Sequence, residues 1–204
     1  MAGLRAKHKA DRHRRIVEAA ADLFRTSGYD TVKMEAIAAA AEVSIGTIYN
    51  YYKNKGDLLV AIVSMEVHEV LAAGEKVIAR PPLNADKAVA KLIANYIEHS
   101  LVYLSKEMWR QAMAITTQQP DSPFGVAYGE LDEALTAQTC KLIKTLQALG
   151  LVQADADAQG IGEMIFNNAN MMFTIFVKQE EMTVAELLAQ IRRQNRTLVK
   201  AVMT

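Results

Sequence analysis

Between Ser44 and Lys55 the chain reads SIGTIYNYYKNK, and these residue types suit an anionic polymer and the edges of its bases. Thr47 and Asn50 carry short polar groups that can bond a base edge, and the hydroxyls of Ser44, Tyr49 and Tyr51 suit phosphate oxygens. Gly46 has no side chain, which lets the backbone approach a partner closely. Ile45 has no hydrogen bond to give and can only pack on a thymine methyl. Lys55 in the first turn of one helix, and Thr31 and Lys33 in the first turn of another, stand where side chain and backbone N–H groups can share one phosphate. The chemistry implied is recognition of double-stranded DNA, with phosphate contacts and DNA shape carrying much of the affinity.

The elements that must position these residues are helices. Ile16, Ala20, Leu23 and Phe24 recur at helical spacing in a first helix, expected over about 11–27, with Gly28 as its stop signal. A short second helix, capped by Asp30 or Thr31, turns Met34, Ile37 and Ala38 inward. A third follows Ser44 and ends near Tyr52, with Ile48, Tyr52 and Val43 facing a small core. A fourth opens at Asn54, with Asp57 in the capping-box position, and runs toward Pro81-Pro82. Short helix, tight turn, short helix within some twenty residues is the helix-turn-helix pattern. Five further helices are expected at about 84–104, 105–118, 123–149, 155–178 and 183–203. The fold class is therefore all-α with about nine helices. A basic arm and three-helix head (1–54) precede a larger helical domain (55–204).

The run TVKMEAIAAAAEVSIGTIYNYYKNKGDLL, residues 31–59, resembles the tetracycline-repressor (TetR) family of regulators. The resemblance is carried by Thr31, Ile37, Ala38, Ala41, Val43, Ser44, Gly46, Thr47, Ile48, Tyr49, Tyr51, Asn54, Lys55 and Leu58 or Leu59. It implies a dimer that binds a near-palindromic operator, and a divergent body that pairs through its last two helices and holds an effector pocket. Two departures stand out. Glu42 replaces the usual turn glycine, with a strain of about 1 kcal/mol if its φ is positive. Tyr52 replaces the usual Phe, so its hydroxyl needs a partner.

The residues of the body point to pairing independently. From Met164 to Val177 the eighth helix is apolar around most of its circumference, and such a helix must be covered on all sides. The expected dimer interface is Met172, Phe173, Phe176, Leu187, Leu188, Ile191, Asn195 and Leu198, with Asn195 as a polar register point in an apolar seam. The candidate effector pocket takes Met65, His68, Tyr96, His99, Tyr103, Trp109, Met113, Phe166, Asn167, Asn170 and Met171, which mix bulk, flexibility and a few polar groups. Three amides in one apolar helix, Asn167, Asn168 and Asn170, need partners. The effector implied is small and largely apolar. It would act by favouring one arrangement of the long fourth helix.

Composition bounds the alternatives. Formal net charge is zero, yet residues 1–55 hold ten Lys or Arg against six Asp or Glu, a basic head suited to phosphate. Arg5, Lys7, Lys9, Arg12, Arg14 and Arg15 form the basic arm. The one cysteine, Cys140, allows no internal disulfide and has no triad context, so an enzyme is the weaker reading. His8, His13, His68 and His99 lack ligand spacing for a metal, and no cofactor is expected. No secretory leader or membrane span is legible, and the cytoplasm is the expected location. The rival readings are a regulator without a small-molecule ligand and a helical interaction protein.

Overall fold

The computed structural model describes the backbone of residues 2–204 and the side chains from Lys7 onward; the side chain of Arg5 lies outside the described residues. Among these residues nine helices follow one another: α1 (Ala2–Ser27), α2 (Met34–Ala40), α3 (Ile45–Tyr49), α4 (Lys55–Ala79), α5 (Ala85–His99), α6 (Lys106–Gln118), α7 (Pro123–Ala148), α8 (Ala158–Lys178) and α9 (Val184–Val202). The chain separates into two compact units, Met1–Met65 with Tyr103–Tyr128, and Glu66–Val102 with Gly129–Thr204. The expected head, 1–54, lies within the first unit, which also takes in α6.

In the first unit, α2 packs on α1 and on α3. Ile16, Ala20 and Phe24 of α1, Ile37 of α2 and Ile48 of α3 are all fully buried. Gly28 ends α1 with a φ of +81°, and its N–H bonds the carbonyl of Phe24 at 3.0 Å. That left-handed turn favours glycine. Glu42 in the α2–α3 turn has a φ of +53°, so the departure read from the sequence falls on a strained position.

Two expectations are corrected here. The basic segment is no separate arm, because α1 begins at Ala2 and carries it as helix. Thr31 and Asp30 do not cap α2. Lys33 is the N-cap, extended and without a side-chain bond, because residues 29–31 form a turn and the chain buries Val32 before α2 begins.

In the second unit, α9 packs against both α5 and α8. The helices start on side-chain caps: Asn84 accepts from the N–H of Lys87, Asp157 from those of Gln159 and Gly160, and Thr183 forms a capping box with Glu186. Helices α7 and α8 approach closely at Gly162, where an added Cβ would stand 2.5 Å from the Cα of Cys140. Only a glycine fits there without moving a backbone.

Candidate nucleic-acid interface and effector region

The recognition segment is set by its caps. Ser44 Oγ accepts the N–H of Thr47 at 3.1 Å and lies 2.8 Å from the Thr47 hydroxyl, so the α3 entry is fixed. Asn54 Oδ1 accepts the N–H of Asp57, and the Asp57 carboxylate accepts the N–H of Lys53 at 2.7 Å. The turn from α3 into α4 is thereby closed by reciprocal bonds. With Ile48 and Tyr52 buried, the rest of α3 faces outward. Gly46 and Asn50 are exposed, Ile45, Thr47 and Tyr51 are half-buried, and Tyr49 is 51% exposed.

Gly46 is informative by what surrounds it. An added Cβ would meet only Ser44 Oγ, at 3.9 Å, and its φ is ordinary, so nothing inside the chain requires glycine. A bare backbone on an exposed helix face, flanked by hydroxyls and an amide, suits close approach by an outside partner. Thr31 and Lys33 are exposed, as are Lys7, Lys9, Arg12, Arg14 and Arg15 along α1.

Lys55 has an additional role that sequence reasoning did not reveal. Its ammonium donates to the carbonyls of Tyr29 at 2.8 Å and Asp30 at 2.9 Å and lies 4.9 Å from the centre of the Tyr29 ring. It fastens the start of α4 to the turn after α1, with one N–H left over for a phosphate. Tyr52 Oη is buried without a hydrogen-bond partner in the protein, and burial pushes its phenol well above the usual range. His13 packs near its ring, centroids 5.7 Å apart.

The residues proposed for an effector are divided between the units. Met65, Tyr103 and Met113 are half-buried and Trp109 is buried in the first. Tyr96, His99, Phe166, Asn167 and Asn170 belong to the second, with His68 exposed. The Tyr96 hydroxyl donates to Gln138 Oε1 at 2.8 Å, and Gln138 in turn donates to the Leu71 carbonyl and to Glu75. Met171, read as a pocket residue, is instead 62% exposed on the outer side of α8.

The amides of α8 find different ends. Asn168 donates to Asn195 Oδ1 at 2.9 Å, Asn167 is exposed, and Asn170 bonds Asp132. Burial raises the Asp132 carboxyl to about 6 although that bond lowers it. A cleft of about 360 Å³ with Asp132, Glu163, Phe166, Asn167 and Asn170 among its walls separates α7 from α8.

A sharper cluster escaped the sequence reading. Glu66 on α4 is 2% exposed, and its Oε1 lies 2.8 Å from His99 Nδ1. His99 Nε2 lies 3.3 Å from Oε2 of Glu69, one turn along α4. Burial raises the Glu66 carboxyl to about 7, against the lowering effect of His99. Its second oxygen, Oε2, is buried and has no partner. The available signal was a pair of acids, Glu66 and Glu69, in the otherwise largely apolar run LLVAIVSMEVHEVL.

The expected dimer interface also needs correction. Met172, Phe173, Phe176, Leu187, Ile191 and Asn195 are all buried within the chain itself, where α8 packs on α9. Asn195 sets register inside the chain, through Asn168. Leu188 and Leu198 are half-buried. The apolar surface left open on α8 is Met164, 59% exposed, and Met171, with half-buried Ile175 between turns. Cys140 is buried and its thiol is pushed up by burial, away from the thiolate a nucleophile needs. No group of three His, Cys, Asp or Glu among the described residues could hold a metal. No described helix is long and apolar enough to cross a membrane.

Comparison with known proteins agrees with the head. Residues 16–62 match the sequence model of bacterial regulatory proteins, tetR family. The HTH-type transcriptional repressor KstR of Rhodococcus jostii (strain RHA1) is 29% identical over 110 residues, 54% of this chain and 51% of that protein; the match thus spans about half that repressor's length. The fatty acid metabolism regulator protein of Bacillus subtilis (strain 168) is 24% identical over 180 residues, 86% of this chain and 88% of that one. In fold, the chain is similar to the TetR-family repressor FadR of Thermus thermophilus, solved in complex with lauroyl-CoA. Their TM-score is 0.64 at 22% identity, with 92% of this chain and 93% of that chain covered.

Proposed function

The chain belongs to the TetR family of bacterial regulatory proteins, and on that premise we propose that it is a ligand-responsive transcriptional repressor acting in the cytoplasm. Its α2–α3 unit reads a near-palindromic operator as a dimer, and a small effector releases it. The observation that carries the DNA-binding half is Gly46. Its helix position is exposed and sterically open within the chain, yet it bears no side chain, among Thr47, Tyr49, Asn50 and Tyr51.

In this reading Thr47 and Asn50 meet bases. Ser44, Tyr49, Tyr51, Thr31, Lys33 and the free N–H of Lys55 meet phosphates, and Ile45 packs on a methyl. The basic face of α1 adds salt-dependent affinity. The dimer forms through the outward stripe Met164, Met171 and Ile175 with Leu198 of α9, since exposed apolar stripes on an otherwise polar surface mark association sites. A charged Met171→Lys substitution then yields monomers in sedimentation, and a persistent dimer excludes this face.

The effector belongs to the acyl-CoA class. The supporting points are the similarity to a fatty acid metabolism regulator over most of both chains and to a repressor fold solved with lauroyl-CoA. The test takes DNA selected from a random pool and follows binding by fluorescence anisotropy. Gly46→Ala keeps its unfolding midpoint and loses operator affinity, and lauroyl-CoA releases the wild-type protein. Salt-independent binding, or an unaffected Gly46→Ala protein, refutes the reading.

A further inference from the structure

The cluster on α4 and α5 has a chemical asymmetry. His99 offers two ring nitrogens, and both face carboxylate oxygens: Glu66 Oε1 at 2.8 Å and Glu69 Oε2 at 3.3 Å. Neither is left to serve Glu66 Oε2. That oxygen is buried and unpartnered, in a side chain 2% exposed. The Ser100 hydroxyl nearby in sequence is also buried, and it donates to the Ile97 carbonyl at 2.7 Å. An orphaned acceptor of this kind is unfavourable until a donor reaches it.

Around Glu66, α4 is apolar: Val63, Val67 and Val70 are buried. An ionised Glu66 presents that open oxygen as an acceptor, and such an atom draws a donor or a cation and repels an anion.

We infer that Glu66, oriented by His99 and Glu69, is the polar anchor of the effector site, and that it selects a ligand presenting an N–H or O–H donor over one presenting a carboxylate. The inference rests on the effector reading above and narrows it. An acyl-CoA meets the requirement through an amide N–H of its carrier arm, whereas a free fatty acid does not. The anchor also lies on α4, the helix whose first residue, Lys55, is fastened to the carbonyls of Tyr29 and Asp30. A ligand drawn to Glu66 therefore acts directly on the helix that leaves the head. Burial, which lifts the Glu66 carboxyl to about 7, sets the working condition: at pH 8 the group is mostly ionised and its free oxygen accepts.

The test uses four probes with one alkyl chain and different heads: octylammonium, 1-octanol, octyltrimethylammonium and octanoate. Binding to the full chain is measured by calorimetry at pH 8, for the wild type and for Glu66→Gln. Octylammonium and 1-octanol are expected to bind about tenfold or more tightly than octanoate, the scale of one hydrogen bond to a charged acceptor. Octyltrimethylammonium, a cation without a donor, should fall below octylammonium. Glu66→Gln should bring octylammonium and octanoate to within about threefold of each other.

The wild-type ranking stands as a test even where the variant does not fold. Octanoate binding as tightly as octylammonium, trimethylammonium matching it, or no binding by any probe overturns the anchor. A Glu66→Gln protein that folds with all four affinities unchanged overturns it as well. Operator release by lauroyl-CoA is scored separately on the wild type. Its failure alongside the expected ranking removes the acyl-CoA class and leaves the anchor; its success without that ranking does the reverse.

Discussion

Glu66→Gln makes a quantitative case in stability as well as in binding. An acid whose folded-state pKa stands above its unfolded one holds its proton more tightly when folded. Stability is then greatest at low pH and falls as the group ionises. For Glu66 the ordinary value is 4.5 and the folded value about 7. The loss begins near pH 4.5 and is complete above pH 7. At about 1.4 kcal/mol per tenfold change in acidity, the ceiling on that loss is about 3 kcal/mol. The side chain is 2% exposed, so solvent screens little of it.

Glutamine keeps the shape and can still accept from His99, but it carries no charge to desolvate. The variant should therefore match the wild type near pH 5 and exceed it by about 1–3 kcal/mol at pH 8. Urea unfolding at fixed protein concentration, at pH 5, 6.5 and 8, measures the difference. A gap that does not widen with pH, or a variant less stable than the wild type at pH 8, refutes the argument that Glu66 is a desolvated acid.

Other substitutions test the head. Tyr52→Phe removes a buried hydroxyl without a protein partner and should leave stability unchanged or raise it by about 1 kcal/mol; a loss in thermal unfolding would mean the hydroxyl is served. Glu42→Gly relieves a φ of +53° at the expense of an exposed 3.7 Å ion pair to Arg15. The net expectation is a gain of about 1 kcal/mol, and a destabilised variant contradicts it. Lys55→Met deletes two charged hydrogen bonds to Tyr29 and Asp30. Chemical unfolding should show a loss of about 1–3 kcal/mol, so an unchanged midpoint would return Lys55 to a purely phosphate-binding role.

Much of the fold was legible because its punctuation is chemical. Gly28, Ser44, Asn54 and Pro81-Pro82 each act through a cap, a stop or a missing N–H, and those operate locally. The expected start of α1, at about residue 11, falls too late, since Lys7 to Arg15 has no apolar period; its helix formers rather than its pattern carry it. The interface was misplaced for a different reason. A helix apolar on most sides states that it is covered, not by which neighbour. Here α9 takes the side bearing Met172 and leaves Met171 outward. Glu66 and His99 are 33 residues apart on different helices, and no local pattern ties two such residues together.

The glycine at 162 also determines what can happen to the thiol beneath it. A Cβ there would stand 2.6 Å from Cys140 Sγ, so α8 closes directly over the sulfur, and Cys140 is 2% exposed. Alkylation of Cys140 therefore requires a local opening, for which parting of α7 and α8 is the direct route. The one thiol in the chain is a built-in clock for that opening, read through its labelling rate. Any ligand that tightens the second unit slows it.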